Sequence, residues 1–132
     1  MESPVRKQII STDQAPGAIG PYSQAVRVGD LVFLSGQIPI DPKSGRLVEG
    51  DAAAQTRRVM ENLGAVLLAA GASFDRVVRS TIYLTNLGDF VQVNEVYGSY
   101  FPIEPPARAT VQVAALPRGA AVEIDMIAHL GA

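Results

Sequence analysis

The chain has 132 residues and a mass of 13.9 kDa, which predicts a single domain over residues 1–132. Hydrophobic residues make up 48% of the sequence and charged residues 18%, a balance that excludes a disordered chain. The net charge is −2, and lysine and arginine form no run longer than a pair, so we expect no nucleic-acid partner.

Missing residue types exclude several kinds of site. The chain has no cysteine, so it can form no disulfide, zinc–thiolate site, iron–sulfur cluster or cysteine nucleophile of its own. Its one histidine, His129, is expected on a strand face without a catalytic role. Metal-ligand spacing, a P-loop and a GxGxxG motif are all absent, so we predict no metal and no other cofactor.

Nothing in the sequence predicts a membrane protein or a secreted protein. No apolar stretch reaches the roughly 20 residues of a membrane span. Arg6 and Lys7 near the N-terminus are not followed by the apolar core of a secretory signal. We therefore expect a cytoplasmic location and no membrane partner.

The first elements in chain order are strands. A short strand is expected over 7–11. Gly29–Asp30 lies between two apolar runs and predicts a hairpin over 25–34, because glycine accepts the positive φ of a tight turn. The second run is apolar on both faces, so its strand is expected in the interior of a sheet.

Two helices follow, with a strand between them. Residues 51–70 carry apolar side chains at steps of three and four, which predicts a helix capped by Asp51 and ended by Gly71. Residues 77–84 are rich in β-forming side chains and predict a strand. Residues 89–101 again show helical spacing, and three prolines stop this second helix.

Two strands with period-two alternation, 107–115 and 121–130, close the chain, and local sequence pairs them as a hairpin. The order β-β-β-α-β-α-β-β predicts an α+β fold of two layers, a six-stranded sheet with two helices on one face. The other face holds Arg108, Thr110 and Glu123 or their apolar neighbours. A small sheet with one uncovered face favours self-association.

Arg108 is the first candidate for ligand binding. It follows Pro105–Ala107 at the start of a strand, among small residues that do not crowd it. Its planar guanidinium suits a carboxylate or a phosphate, which it can bind with two parallel hydrogen bonds. The alternative is an ion pair with Glu104, Glu123 or Asp125, or a solvated side chain.

Glu123 is the first candidate for acid–base chemistry. It alternates with the apolar residues Val122, Ile124 and Met126 along the last strand. Partial burial raises the pKa of a carboxyl group and suits it to act as a general acid or base. The alternative is a carboxylate that faces water or pairs with an arginine.

Two glycine-containing segments, 20–23 and 35–37, adjoin strands. Their glycines let a ligand approach the backbone, and Tyr22 and Ser35 add hydroxyl groups. The same residue types are ordinary turn formers, which is the alternative. Asn94 is a weak helix former inside the second predicted helix, where it either contacts a ligand or faces water. The tyrosines assigned to packing are Tyr83, Tyr97 and Tyr100.

Several of these segments match a known pattern. They are Ala18–Val26, Ser35–Pro39, the group Asp89, Phe90, Val93, Asn94 and Tyr97, and the run from Pro106-Ala107-Arg108 through Leu116-Pro117 to Val122-Glu123-Ile124. In this order, from about Ile10 to about Ala128, the chain resembles the reactive intermediate deaminase family (RidA/YjgF), also called the translation-inhibitor or liver perchloric-acid-soluble protein family. The resemblance makes residues 1–132 a single RidA-like domain.

The resemblance also implies an assembly. Members of this family have a chorismate-mutase-like α+β fold with a mixed sheet and form homotrimers. Their sheets make an inner barrel, their helices lie outside, and three clefts lie between subunits. In this fold the final strand is inserted between earlier strands, which disagrees with the hairpin that local sequence predicts.

The activity implied by the resemblance is hydrolysis of 2-imino acids such as 2-iminobutanoate and 2-iminopropanoate to 2-oxo acids and ammonia, without a cofactor. By matching position, Arg108 holds the substrate carboxylate and Glu123 activates water. The cleft is lined by Tyr22, Ser35, Gly36 and Asn94, with backbone groups near Thr110. Many bacterial members carry cysteine at position 110, so any role of a thiol is absent here.

Two other functions stay open from sequence. The same clefts could serve a non-enzymatic trimer that binds 2-oxo acids, although binding alone does not need Glu123. The family's older name implies an RNA-cleaving translation inhibitor. The net charge of −2 and an aromatic content of 6% argue against that activity.

Overall fold

A computed structural model describes residues 6–131, with strands and helices in the predicted order. The strands are β1 (Gln8–Ile10), β2 (Ala25–Val28), β3 (Leu31–Gln37), β4 (Val77–Leu84), β5 (Ala107–Gln112) and β6 (Val122–His129). The helices are α1 (Ala52–Ala69) and α2 (Phe90–Ser99), and three short 3₁₀ turns span Phe74–Arg76, Leu87–Asp89 and Pro117–Gly119. The predicted α+β class is confirmed.

Local signals set the element boundaries. The Gly29–Asp30 turn joins β2 to β3, and Gly29 has the positive φ of 59° that such a turn requires. The Asp51 side chain caps α1 by accepting a hydrogen bond of 2.9 Å from the Ala54 amide. Gly71, with φ of +80°, follows the end of this helix.

The six strands form one mixed sheet in the order β1-β2-β3-β6-β4-β5, in which only β4 and β5 run parallel. The hairpin predicted from local sequence between the last two strands is therefore wrong. β6 lies between β3 and β4, as the family resemblance implies. Alternation along a strand shows which of its side chains share a face, but it does not show which other strand pairs with it.

Both helices pack on one face of the sheet. The core contains fully buried α1 side chains, including Val59, Met60 and Leu63, and the facing side chains of β6, including Ile124 and Met126. None of the helices between residues 6 and 131 is long and apolar enough to span a bilayer.

The opposite face, which we call the open face, is not covered by any layer formed from residues 6–131. β3 is internal in the sheet as predicted, yet Leu31 and Phe33 remain 44% and 43% exposed because they point to this face. The other exposed apolar side chains that the strand register places there are Ile9, Val28 and Val111. An apolar surface of this kind favours association with another protein surface.

The strand register separates residues that the sequence placed together. Arg108 lies opposite Ser80, which is fully buried beneath the helices, so Arg108 and Thr110 face the helix layer. Glu123 lies opposite Tyr83 on the open face. The sequence grouped Arg108, Thr110 and Glu123 on one face, whether that face was covered or not, and this grouping is wrong. Alternation along one strand does not show which of its two faces matches a given face of another strand.

Candidate functional site

Glu123 lines a cavity of about 450 Å³ beside β3, which we call the glutamate cavity. Tyr22, Ser35 and Gly36 line the same cavity, so four of the residues singled out in the sequence come together here. The remaining lining residues are Pro16, Gly17, Ile19, Gln24, Gln37, Ile38, Ile40, Pro117 and Arg118. Carboxylate, hydroxyl and amide groups thus meet apolar walls, a mixture typical of small-molecule sites.

A β-bulge brings Gly36 against Glu123. Leu34 pairs with Met126 and Gln37 with Ile124, so β3 has one residue more than β6 between these pairs. A Cβ atom on Gly36 would lie 2.5 Å from Oε2 of Glu123, which is closer than real contacts allow. Only glycine at position 36 leaves room for the Glu123 carboxylate. Glycine is needed here because the two groups approach closely, not because the backbone has an unusual φ.

The environment of Glu123 favours its protonated form. Burial raises the pKa of the Glu123 carboxyl above its ordinary value, and the negative charge of Asp125 raises it further. Asp125 is itself held by Tyr83, whose hydroxyl donates a hydrogen bond of 3.0 Å to Oδ2. A carboxylate whose pKa is raised is a stronger base once it is ionised.

The cavity walls are fixed by hydrogen bonds. The buried Gln24 side chain accepts from the Thr12 amide at 2.6 Å and donates to the Pro16 carbonyl at 2.8 Å, which ties residues 12–17 to the sheet. The Ser35 hydroxyl donates to the Ser23 carbonyl at 2.6 Å. This hydroxyl therefore presents its oxygen to a ligand as an acceptor.

Arg108 lies in a second group of residues, the arginine cluster, between the edge strand β5 and α2. Its Nη1 donates a hydrogen bond of 2.7 Å to Oδ1 of Asn94. Its guanidinium carbon lies 5.6 Å from the centre of the Phe90 ring and 5.2 Å from that of Tyr97, within the range of cation–π attraction. Asn94 is exposed, in agreement with one of the two alternatives from sequence, and it also contacts Arg108, which the sequence did not predict.

Thr110 belongs to the same cluster by register, because it lies two residues beyond Arg108 on the same face. Its Oγ1 is buried and has no hydrogen-bond partner among the described residues. A buried hydroxyl without a partner is uncommon and carries a free-energy cost. Thr110 can therefore still accept or donate a hydrogen bond in an assembled site.

The glutamate cavity and the arginine cluster lie on opposite faces of the sheet within one chain. Within one chain, this separation excludes the ion pairs of Arg108 with Glu123 or Asp125 that the sequence left open. A ligand bound to Arg108 of one protomer therefore cannot also reach Glu123 of the same protomer.

Sequence reasoning missed several contacts around these groups. Phe90, Asn94 and Tyr97 have the i, i+4, i+7 spacing of one helix face, a signal that could have found the aromatic contacts with Arg108. Asp125 could have been found by its two-residue step from Glu123. No local signal marks Gln24. Among residues 6–131, no group of three or more potential metal ligands occurs.

The chain is similar to known proteins over nearly its whole length. The sequence model of a family described as Endoribonuclease L-PSP matches residues 12–130. Protein DfrA of Myxococcus xanthus is 65% identical over 124 residues, covering 92% of this chain and 95% of that protein. The 2-iminobutanoate/2-iminopropanoate deaminase of Mus musculus is 51% identical over 131 residues, covering 99% and 96%. The crystal structure of E. coli TdcF with bound serine has a TM-score of 0.90 at 43% identity, covering 94% of this chain and 99% of that one.

Proposed function

Since the chain belongs to the Endoribonuclease L-PSP family, the RidA/YjgF family, we propose that it hydrolyses reactive 2-imino acids to 2-oxo acids and ammonia. Its substrates include 2-iminobutanoate and 2-iminopropanoate. The name of the mouse relative supports this activity. The chemistry of the two residue groups supports it as well, because one offers a cation for a carboxylate and the other a base for water.

The observation that carries the proposal is the separation of Arg108 and Glu123 on opposite faces of the sheet. One substrate can meet both residues only if they come from neighbouring protomers. A homotrimer with its open faces turned inward satisfies this requirement at three clefts. The exposed apolar side chains of that face, such as Phe33, support such an assembly.

The reaction needs two kinds of help. Arg108 binds the substrate carboxylate, and Asn94 keeps the guanidinium in place. Glu123 of the neighbouring protomer takes a proton from water as the oxygen attacks C2 of the iminium. The nitrogen of the resulting carbinolamine receives that proton from Glu123. As the C–N bond breaks, Glu123 takes the hydroxyl proton, the C=O bond forms, and ammonia and the 2-oxo acid leave. The iminium carbon is already electrophilic, so positioning and a base suffice.

The other residues of the glutamate cavity shape the cleft. Gly36 leaves room for the Glu123 carboxylate, and Ser35 presents a hydroxyl oxygen. Tyr22 is half exposed at the cavity wall, where its ring can cover substrate. Thr110 supplies backbone groups and a hydroxyl beside the bound carboxylate.

The test is a coupled assay in which a threonine dehydratase forms 2-iminobutanoate and semicarbazide traps the imine that remains. Arg108→Ala is expected to lose about 2–5 kcal/mol of transition-state binding, which lowers kcat/KM roughly 30-fold to several thousandfold. The exposed Arg57→Ala on α1 is the matched control and keeps full activity. A fully active Arg108→Ala variant would remove the carboxylate-binding role.

A second candidate function is ligand binding without turnover. TdcF is described with bound serine, a small amino acid with a carboxylate, and this favours a binding role for related clefts. Saturable binding of 2-oxobutanoate without imine hydrolysis would establish it. The partly buried Glu123 favours the enzyme instead, because a base is superfluous for binding.

The description of the matching family names a ribonuclease activity. The net charge of −2 disfavours RNA binding. RNA cleavage that survives extensive purification and disappears on substitution of Glu123 or Arg108 would establish this activity instead.

A further inference from the structure

One face of α2 contacts the Arg108 side chain. Phe90, Asn94 and Tyr97 follow one another at i, i+4 and i+7, and all three contact the guanidinium. We propose that this stripe holds Arg108 ready for its ligand, and that Phe90 is a positioning residue that sets affinity for the carboxylate without touching substrate. The inference rests on the proposed function only in naming the ligand a 2-oxo or 2-imino acid.

The sheet itself gives Arg108 little support. β5 is an edge strand of the sheet, so within the described part of the chain no further strand packs beside Arg108 on its outer side. Its neighbours on the same sheet face are the small residues Ser80, directly opposite, and Thr110, two residues along. An arginine side chain has many rotamers, and binding is weakened if they must be frozen when the ligand arrives. The helix therefore has to supply the order that the sheet does not.

Tyr97, Asn94 and Phe90 differ in how firmly each one holds the Arg108 guanidinium. Tyr97 is only 3% exposed, donates a hydrogen bond of 2.9 Å to Oγ of Ser80 and packs against Phe101. Its ring is therefore held rigidly against the guanidinium. Asn94 occupies one N–H of the guanidinium. Phe90 is the first residue of α2 and is 36% exposed, so its ring can be removed with little effect on the core.

This arrangement leaves the guanidinium most of its donors. Arginine has five N–H groups in one plane, and Asn94 accepts from one of them. The Phe90 and Tyr97 rings offer no competing hydrogen-bond acceptor atoms to the guanidinium, so its other N–H groups stay available to a ligand. A carboxylate that accepts two parallel hydrogen bonds fits this arrangement.

The binding test uses Phe90→Leu, which removes the ring and keeps an apolar side chain. Calorimetric Kd for 2-oxobutanoate and KM for 2-iminobutanoate are expected to rise about fivefold, the size of one cation–π contact, with kcat nearly unchanged. Phe90→Tyr restores the ring and is expected to restore both constants. Val91→Ala is the matched control, since Val91 is an exposed apolar neighbour on α2 without a ring.

A double-mutant cycle separates positioning from a structural effect. If Phe90 acts through Arg108, then Phe90→Leu causes no further loss of binding in an Arg108→Ala background. An equal loss in both backgrounds overturns the proposal. So does an unchanged Kd in the single variant.

A measurement without ligand keeps this proposal independent of the imine chemistry. In ¹⁵N-labelled protein, the Nε–H of Arg108 is expected to exchange with solvent more slowly than those of exposed arginines, and faster in Phe90→Leu. If the wild-type protein hydrolyses no imine while these changes in exchange and Kd occur, the proposed function fails and the positioning role stands. If imine hydrolysis is present and Phe90→Leu alters neither quantity, the positioning role fails alone.

Discussion

The position of Glu123 depends on a side chain that is missing from its neighbour. The bulge in β3 places Gly36 so close to the carboxylate that even a methyl group has no space. The family resemblance identified both residues, yet neither the bulge nor the contact can be read from the sequence. The contact between Gly36 and Glu123 joins two strands that are far apart in the chain. Local sequence patterns carry no information about such contacts.

Gly36→Ala is expected to push the Glu123 carboxylate from its place. A shift of about 1 Å in a catalytic group lowers the rate roughly 10²-fold, so kcat/KM for 2-iminobutanoate should fall by about that factor. The matched control is Gly98→Ala on α2, where a Cβ meets no atom within 4 Å. Wild-type kinetics in Gly36→Ala would show that Glu123 does not need this position.

The charge of Asp125 predicts a change in pH dependence. Burial is the larger cause of the raised pKa of Glu123, and Asp125 is the second. Because the base must be ionised, kcat/KM falls as the pH drops through this pKa. Asp125→Asn removes the like charge and lowers the pKa, so the acid limb should move to lower pH, only in part because burial remains.

This profile is measured with imine generated in excess at each pH. Asp75→Asn, an exposed residue outside both site groups, is the charge-matched control and should leave the limb in place. A limb that stays fixed or moves to higher pH in Asp125→Asn contradicts the assigned role of Asp125.

At the level of helices and strands, the sequence predicted those features that depend on residues close together in the chain. The apolar stripe of α1, its cap at Asp51 and the hairpin at Gly29 all depend on residues within a few positions of each other. The pairing of β6 with β3 and β4 depends instead on distant segments, so only the family resemblance implied it. The sequence did not predict that Arg108 lies on the helix-covered face, because this too depends on the pairing of distant segments.

The cap of α1 can be tested through stability. Asp51→Ala removes the acceptor for the Ala54 amide and is expected to lower the free energy of unfolding by about 1 kcal/mol. In a chain of this size that lowers Tm by roughly 2–6 °C. Asp51→Asn keeps an acceptor oxygen and should behave as wild type. Equal Tm values for Asp51→Ala and wild type would show that the bond adds no stability.

At the scale of the whole molecule, the sheet separates the two halves of the proposed reaction. The helix layer holds Arg108 at one edge, while the open face holds Glu123 and exposed apolar residues such as Leu31 and Phe33. Covering the open face by another protomer would remove its apolar surface from water and bring a second copy's residues close. In the proposed trimer, association and catalysis would therefore depend on the same surface.

Mixing two inactive variants tests this dependence most directly. Arg108→Ala and Glu123→Gln subunits, each with its own affinity tag, are co-expressed, and oligomers carrying both tags are isolated at a mass about three times 13.9 kDa. Every mixed trimer has one cleft with both residues intact, so it should hydrolyse 2-iminobutanoate at roughly one third of the wild-type rate. Mixed trimers no more active than the two variants alone would contradict a site shared between protomers.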